Sequence, residues 1–147
     1  MSDFLELTVG KFTFKVAGDR LYNIEGVWAK EEHGLVRTGL SDFLQQRSGD
    51  VAFCEVKPAG TNLAVNDEIA TIETIKVDIA LSSPVSGTVT RINPRLVTAP
   101  ETINLDPYEE GWLCEIQASD WQAARVALLS PEAYYQKIKR ESEAEIK

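Results

Sequence analysis

Residues 68–83 read EIATIETIKVDIALSS, and this stretch decides the fold of the chain. It is rich in Ile and Thr, which favour β-strands, and it begins after the turn signal Asn66-Asp67 and ends before Pro84. From Ile75 onward an apolar residue recurs at every second position, which is the period of a strand. The stretch therefore predicts two β-rich segments with Lys76 between them. The alternation places one set of side chains on the same face: Ile75, Val77, Ile79 and Leu81.

Other segments carry short β signals of the same kind. The sequences FTFKV at 12–16 and GTVTRIN at 87–93 alternate between apolar and polar residues, and VAFCEV at 51–56 predicts a further strand. Shorter strands are expected near residues 27–29 and 34–37. Many short strands separated by Gly, Pro and Asn are typical of a sandwich or a flattened barrel. We therefore predict a mainly β fold.

Three segments are predicted to be helical. Ser41 can cap a helical turn that directs Phe43 and Leu44 inward and ends at Gly49-Asp50. Residues 120–129 place four apolar side chains on one helix face, and Ser130-Pro131 begins a second tail helix. These inner faces are expected to consist of Trp121, Ala124, Ala127 and Leu128 in the first helix and of Tyr134, Tyr135 and Ile138 in the second.

The domain organisation follows from these patterns. The chain of 147 residues contains no long linker or low-complexity block, and its length suits one compact core. We predict a single domain over residues 1–147. Its β core spans residues 21–118, and a helical tail over residues 119–147 packs on that core.

The charge of the chain limits its partners. The net charge of −8 disfavours nucleic acid, which selects basic surfaces. Lys76 is the only cation between Lys57 and Arg91, a segment that contains four acids, and residues 96–124 contain six acids and no cation. These stretches are either an ordinary solvated surface or a docking face for basic partner proteins.

We find no pattern that predicts catalysis or a metal site. The cysteines Cys54 and Cys114 form no C-x-x-C pair and are expected to be buried free thiols, and His33 is the only histidine. The glycines form no phosphate-binding loop. No apolar run is long enough to cross a bilayer, and acids occupy the start of the chain, where a signal peptide would carry Lys or Arg. A soluble cytoplasmic protein with no membrane partner and no catalytic residues is expected.

Lys76 is the candidate functional residue, although the alternation of apolar and polar residues around it has two interpretations. At the tip of a hairpin, its amine would project into water from a rigid support. An ordinary solvent-facing lysine would show the same alternation. Periodicity does not separate these interpretations.

The motifs around Lys76 resemble those of the glycine-cleavage H-protein family. The hairpin resemblance lies in ETIKV at 73–77, PVSGTV at 84–89 and IN at 92–93. A second signature is similar to PETIN at 100–104, DPY at 106–108 and GWL at 111–113. The helical-turn segment of the family resembles VRTGLSDF at 36–43 and GDV at 49–51. The motifs occur in order over residues 21–118.

The resemblance implies the fold, the cofactor and the partners. It implies a lipoyl- and biotinyl-type hybrid β-barrel-sandwich, with lipoic acid joined to Lys76 by an amide. Glu73 and Asp78 would present the lysine to a lipoylating enzyme, and Trp112 is expected in the core. The lysine side chain with its lipoyl group would form a flexible arm. This arm would take an aminomethyl group from a pyridoxal-phosphate glycine decarboxylase and pass the group to an aminomethyltransferase. Dihydrolipoyl dehydrogenase would then reoxidise the arm. The chain itself would be a carrier with no enzymatic activity.

Two departures from the family leave the pathway open. The family has His-Glu-Trp in its first strand, where this chain has Gly26-Val27-Trp28, and the lysine is followed by Val77 rather than a small residue. One alternative is an H-like lipoate-binding protein that serves a heterodisulfide-reductase-like complex of sulfur oxidation. A biotin carrier is a further alternative, although Met1 is the only methionine and biotinylated lysines are flanked by methionines. An unmodified interaction protein is the third.

Overall fold

The computed structural model of the protein describes residues 3–146, which form three antiparallel sheets and five helices. The strands are β1 Phe4–Val9, β2 Phe12–Ala17, β3 Leu21–Tyr22, β4 Val27–Glu32, β5 Leu35–Leu40, β6 Val51–Val56, β7 Asn62–Leu63, β8 Glu68–Thr74, β9 Asp78–Ser82, β10 Gly87–Ile92 and β11 Cys114–Ala118. The helices are α1 Asp42–Ser48, α2 Arg95–Thr98, α3 Thr102–Leu105, α4 Trp121–Ala127 and α5 Pro131–Ile146. The predicted mainly β fold with a helical tail is confirmed.

Two of the sheets enclose the main core. The larger has the strand order β3-β4-β5-β11-β10-β7 and the smaller has the order β6-β8-β9. Val36 and Ile116 of the larger sheet and Ile72 and Leu81 of the smaller belong to one buried cluster. Each sheet buries one face against the other, as in a sandwich. The two sheets stay separate and open, so the flattened barrel is not closed.

A second core lies beneath the tail helix and a separate hairpin. The hairpin is the two-stranded sheet β1-β2, and its Phe14 is buried with Trp28 and with Tyr134 of α5. The indole Nε1 of Trp28 donates to the carbonyl oxygens of Leu40 and Pro107, at 3.1 and 3.0 Å. The predicted core position of Trp112 is confirmed, since this side chain is buried in the same cluster.

Local sequence signals account for the helix starts. The Oγ of Ser41 accepts a hydrogen bond from the backbone N–H of Leu44 at 3.1 Å, which is the predicted cap of α1. Asp120 and Ser130 likewise accept from the N–H groups of Ala123 and Ala133, each at 3.1 Å. Among the helices of residues 3–146, none is long and apolar enough to span a membrane.

Two sequence predictions need correction, and one strand was missed. The apolar alternation does not continue through the lysine, because β8 ends at Thr74 and Ile75 lies in the loop with 86% of its surface exposed. Ala127 is exposed, so the inner face of α4 is limited to the partly buried residues that precede and follow it. Strand β1 was not predicted, although Leu5, Leu7 and Val9 alternate with polar residues as in a half-buried strand.

Candidate functional site

The hairpin between β8 and β9 holds Lys76 at its tip. The loop consists of Ile75, Lys76 and Val77, and the strand pair closes at Glu73 opposite Asp78. One threonine side chain organises this loop: Thr74 Oγ1 accepts from the N–H groups of Lys76 and Val77, at 3.2 and 3.1 Å. The same hydroxyl donates to the carbonyl oxygen of Val77 at 2.9 Å. The tip is therefore a side-chain-stabilised turn.

The side chain of Lys76 is exposed and lies across the end of α1. Its Nζ is 3.5 Å from the carbonyl oxygen of Arg47, and its Cε packs against Gly49. No ion pair formed within residues 3–146 includes Lys76. The amine is therefore accessible to a second protein, and no salt bridge has to break before it can react.

A partly buried hydrogen-bond network supports the surface on which Lys76 rests. The side chain of Asn104 donates to the carbonyl oxygen of Gly49 and to Gln45 Oε1, both at 3.0 Å, and its Oδ1 accepts from the N–H of Val51 at 2.9 Å. These bonds join α3 to the turn between α1 and β6. Sequence reasoning identified Asn104 in a family signature but gave it no role. Its role here is to fix the backbone beside the lysine.

Glu73 and Asp78 flank the tip, at the positions where the two strands enter and leave the loop that holds Lys76. They are exposed and directly opposed in the strand register. Neither forms an ion pair within residues 3–146. The tip therefore has negative charge on both strands, beside the exposed apolar side chains of Ile75 and Val77.

The second acidic stretch is a different kind of surface. Glu115 pairs with Arg37 at 3.0 Å and with Arg91 at 3.5 Å. Arginines also neutralise two further carboxylates of this stretch, Glu109 and Glu110. Because three of the six acids of this stretch pair with arginines of the chain, whereas neither acid of the hairpin tip does, the tip is the better candidate for a docking face.

Both cysteines are free thiols, as expected, and Cys114 is buried, whereas Cys54 is only partly buried. Burial raises the pKa of Cys54 to about 12 and that of Cys114 to about 11. Thiolate is the nucleophilic form of cysteine, and both side chains stay protonated near neutral pH. Neither thiol is therefore a candidate nucleophile.

A β-sandwich that presents one exposed lysine at a hairpin tip has the architecture of a carrier domain. The model of the family described as "Glycine cleavage H-protein" matches residues 20–141. The chain belongs to the glycine cleavage H-protein family, and the predicted lipoyl-carrier role is confirmed.

Individual relatives agree with this assignment. The glycine cleavage system H protein of Salinibacter ruber is 38% identical over 79% of this chain and 93% of its own length. That of Oceanobacillus iheyensis is 40% identical over 79% of this chain and 91% of its own length. A crystal structure of a glycine cleavage system H protein from Mycobacterium marinum superposes with a TM-score of 0.75 and 28% identity, covering 82% of this chain and 96% of that one.

The structure gives a physical reason for one departure from the family pattern. Gly26 stands where the family has His, and a Cβ atom there would lie 2.5 Å from the hydroxyl of Tyr134. That hydroxyl and Ser41 Oγ form a 2.7 Å hydrogen bond that ties α5 to the start of α1. The backbone of Gly26 also has φ +100°, which glycine adopts without strain. The tail helix therefore occupies the space that a larger residue would need.

Proposed function

We propose that Lys76 is the attachment site of lipoic acid and that the chain carries sulfur-bound intermediates between the enzymes of glycine cleavage. The observation that supports this proposal is the exposed, unpaired amine on a tip held by Thr74. The site fits the group chemically, because an amide requires a nucleophilic amine and space around it. We also propose that the chain has no catalytic activity of its own.

The attachment needs an activated lipoyl donor, which a lipoylating enzyme supplies. The ammonium of Lys76 first loses one proton, and the neutral Nζ then forms a bond to the acyl carbon. The bond between that carbon and its activating group breaks, the activating group leaves with the electron pair of that bond, and Nζ gives up a second proton. The lysine charge disappears in this step. The carboxylates of Glu73 and Asp78 are then the only charges at the tip. We propose that the lipoylating enzyme recognises these two carboxylates.

The work of the chain after loading is to position the arm. Lipoic acid, when bound, supplies a disulfide that can be reduced and a sulfur that can carry a group. The stiff tip keeps the attachment point at a fixed place, which gives a docked active site a high effective concentration of the arm. We propose a pyridoxal-phosphate glycine decarboxylase, an aminomethyltransferase and dihydrolipoyl dehydrogenase as partners.

The same proposal places the chain in the cytoplasm. Its support is the state of the two cysteines of the chain, which are free thiols and form no disulfide with each other. Free thiols persist in reducing compartments, whereas secreted domains form disulfides.

The test of the carrier function uses the full chain loaded with lipoic acid and a glycine decarboxylase. Loaded wild-type protein is expected to support release of labelled CO₂ from carboxyl-labelled glycine. Lys76→Arg treated in the same way should give none, and Lys57→Arg is the matched control that should match wild type. Loaded wild-type protein that supports no release would contradict the proposed partners.

A further inference from the structure

The outer face of the smaller sheet, β6-β8-β9, adjoins the loop that holds Lys76. At the end nearest this loop, Phe53, Glu73 and Asp78 lie directly opposite one another in the strand register, and all three are exposed. Ile72, the neighbour of Glu73 in β8, is fully buried in the main core. Because successive side chains of a strand point to opposite faces, this row of three points away from the core.

The ring of Phe53 is unusual on such a face. The outer side of a sandwich sheet normally presents polar side chains to water, yet Phe53 is 52% exposed. No aromatic ring of residues 3–146 packs against it. Ile75, in the adjoining loop, is more exposed still. Two large apolar side chains are therefore uncovered at the same end of the sheet, and aromatic side chains are enriched at the centres of protein interfaces.

Exposed apolar side chains continue beyond the edge strand β6. Asn104 accepts a hydrogen bond from the N–H of Val51, which places helix α3 beside the start of β6, and its neighbour Leu105 is 79% exposed. Helix α2 packs against β6, and its Val97 is exposed to the same extent. Both short helices that flank the edge strand therefore add apolar surface near Phe53.

Three carboxylates border the ring of Phe53. Glu73 and Asp78 share its row, and Glu55 lies in the next row of the same face, opposite Thr71. None of the three forms an ion pair within the part of the chain that the structure describes. The face therefore combines an apolar centre with a negative border.

These charges decide what kind of partner fits the face. A second copy of this chain would bring the same unpaired carboxylates together, and nucleic acid is itself a polyanion, so both would be repelled. A protein surface with an apolar pocket bordered by Lys or Arg is complementary to the ring and to the carboxylates at once. Acylation of Lys76 removes a positive charge beside this face, so a basic partner favours the loaded protein.

We propose that the outer face of the smaller sheet is the surface on which the glycine decarboxylase docks, an inference that rests on the proposed carrier function. Phe53 enters an apolar pocket of the enzyme, and the carboxylates of Glu55, Glu73 and Asp78 pair with basic side chains around that pocket. Because Phe53 lies on the sheet and not in the loop, docking through this face leaves the loop free to direct the arm into the active site.

The test measures the release of labelled CO₂ from carboxyl-labelled glycine at varied concentrations of full-length carrier, with complete lipoyl loading confirmed by intact mass. Phe53→Ser should raise the KM of the decarboxylase for the carrier about fivefold and leave kcat unchanged, as expected from losing the burial of roughly half a Phe side chain. Phe4→Ser is the matched control, because Phe4 is 43% exposed on the separate β1-β2 hairpin, and it should keep the wild-type KM.

A charge reversal tests the border of the face. Glu55→Lys should raise the KM about tenfold at low ionic strength, and its difference from wild type should shrink as salt is added. Glu6→Lys is the matched control, because Glu6 is an exposed acid of β1, outside the face, and it should leave the KM unchanged. Equal midpoints of urea unfolding in all four variants and wild type would show that the KM reports docking and not damage to the fold.

Unloaded protein supplies a second measurement that does not depend on these variants. Lys76→Gln and Lys76→Arg carry no lipoyl group, and both should inhibit turnover of the loaded wild type by competing for the enzyme. The neutral Gln variant should inhibit at a lower concentration than the Arg variant, because it lacks the positive charge beside the face.

The negative results have different meanings. Loaded wild-type protein that supports no release would contradict the proposed function, and the docking face would fall with it. Normal release by wild type, with the same KM in Phe53→Ser and Phe4→Ser, would overturn the docking face and leave the carrier function intact.

Discussion

The Cε atom of Lys76 lies 2.9 Å from the place that a Cβ atom would occupy on Gly49. Because glycine has no Cβ atom, this space is free and the lysine side chain can lie across the end of α1. Gly49 also has φ +90°, a backbone conformation that residues with a side chain rarely adopt.

Gly49→Ala is therefore expected to lower the free energy of unfolding by two separable effects. Backbone strain costs about 1–3 kcal/mol. The conflict with the lysine side chain adds a coupling that a double-mutant cycle with Lys76→Ala should measure as at least about 0.5 kcal/mol in urea unfolding. Gly60→Ala is the control, because Gly60 has φ +94° with no atom near its Cβ position. An equal coupling at Gly60 would contradict the contact.

Thr74→Val is predicted to loosen the tip. The change keeps the shape of the side chain but removes the hydroxyl that holds the N–H groups of Lys76 and Val77. Losing bonds worth about 1–1.5 kcal/mol should speed hydrogen exchange at these two amides by about 5- to 10-fold. Thr71→Val, which removes an exposed hydroxyl bonded to Glu68 in the same strand, should leave them unchanged. Unaltered exchange in Thr74→Val would show that the hydroxyl does not order the tip.

The sequence predicted the elements whose signals are local. The alternating β strands, the Ser41 cap and the position of Lys76 between two strands all depend on neighbouring residues. The packing of α5 on the β1-β2 hairpin does not, because it joins the two ends of the chain. The contact between Lys76 and the carbonyl of Arg47 joins residues 29 positions apart, and no local pattern encodes such a contact.

Asn104→Ala is predicted to destabilise the protein through the turn beside the lysine. It removes three hydrogen bonds, to Gly49, Gln45 and Val51, and should lower the free energy of unfolding by about 2–3 kcal/mol. Asn62→Ala removes one exposed bond to Thr88 and should cost less than about 1 kcal/mol. Similar midpoints of urea unfolding for the two variants would argue against the proposed role of Asn104.

Alkaline pH is predicted to weaken the fold through the two thiols. Burial raises the pKa of Cys54 from 9.0 to about 12 and that of Cys114 to about 11. The unfolded chain therefore loses these protons first, so their contribution to stability is complete below pH 9 and falls as the pH rises toward 11 and 12. Urea unfolding between pH 8 and 10.5 should show a smaller loss in the Cys54→Ala/Cys114→Ala double variant. An identical loss in both proteins would rule out a thiol contribution.

The most direct test of the account is the position of the acyl group after reaction of the full-length chain with a lipoylating enzyme and an activated lipoyl donor. Intact mass and peptide fragmentation should show one lipoyl group, located on Lys76, in wild type and in Lys57→Arg, and none in Lys76→Arg. A lipoyl group on another lysine would contradict the account. So would an unmodified wild-type chain in a reaction that fully loads the Salinibacter ruber H protein.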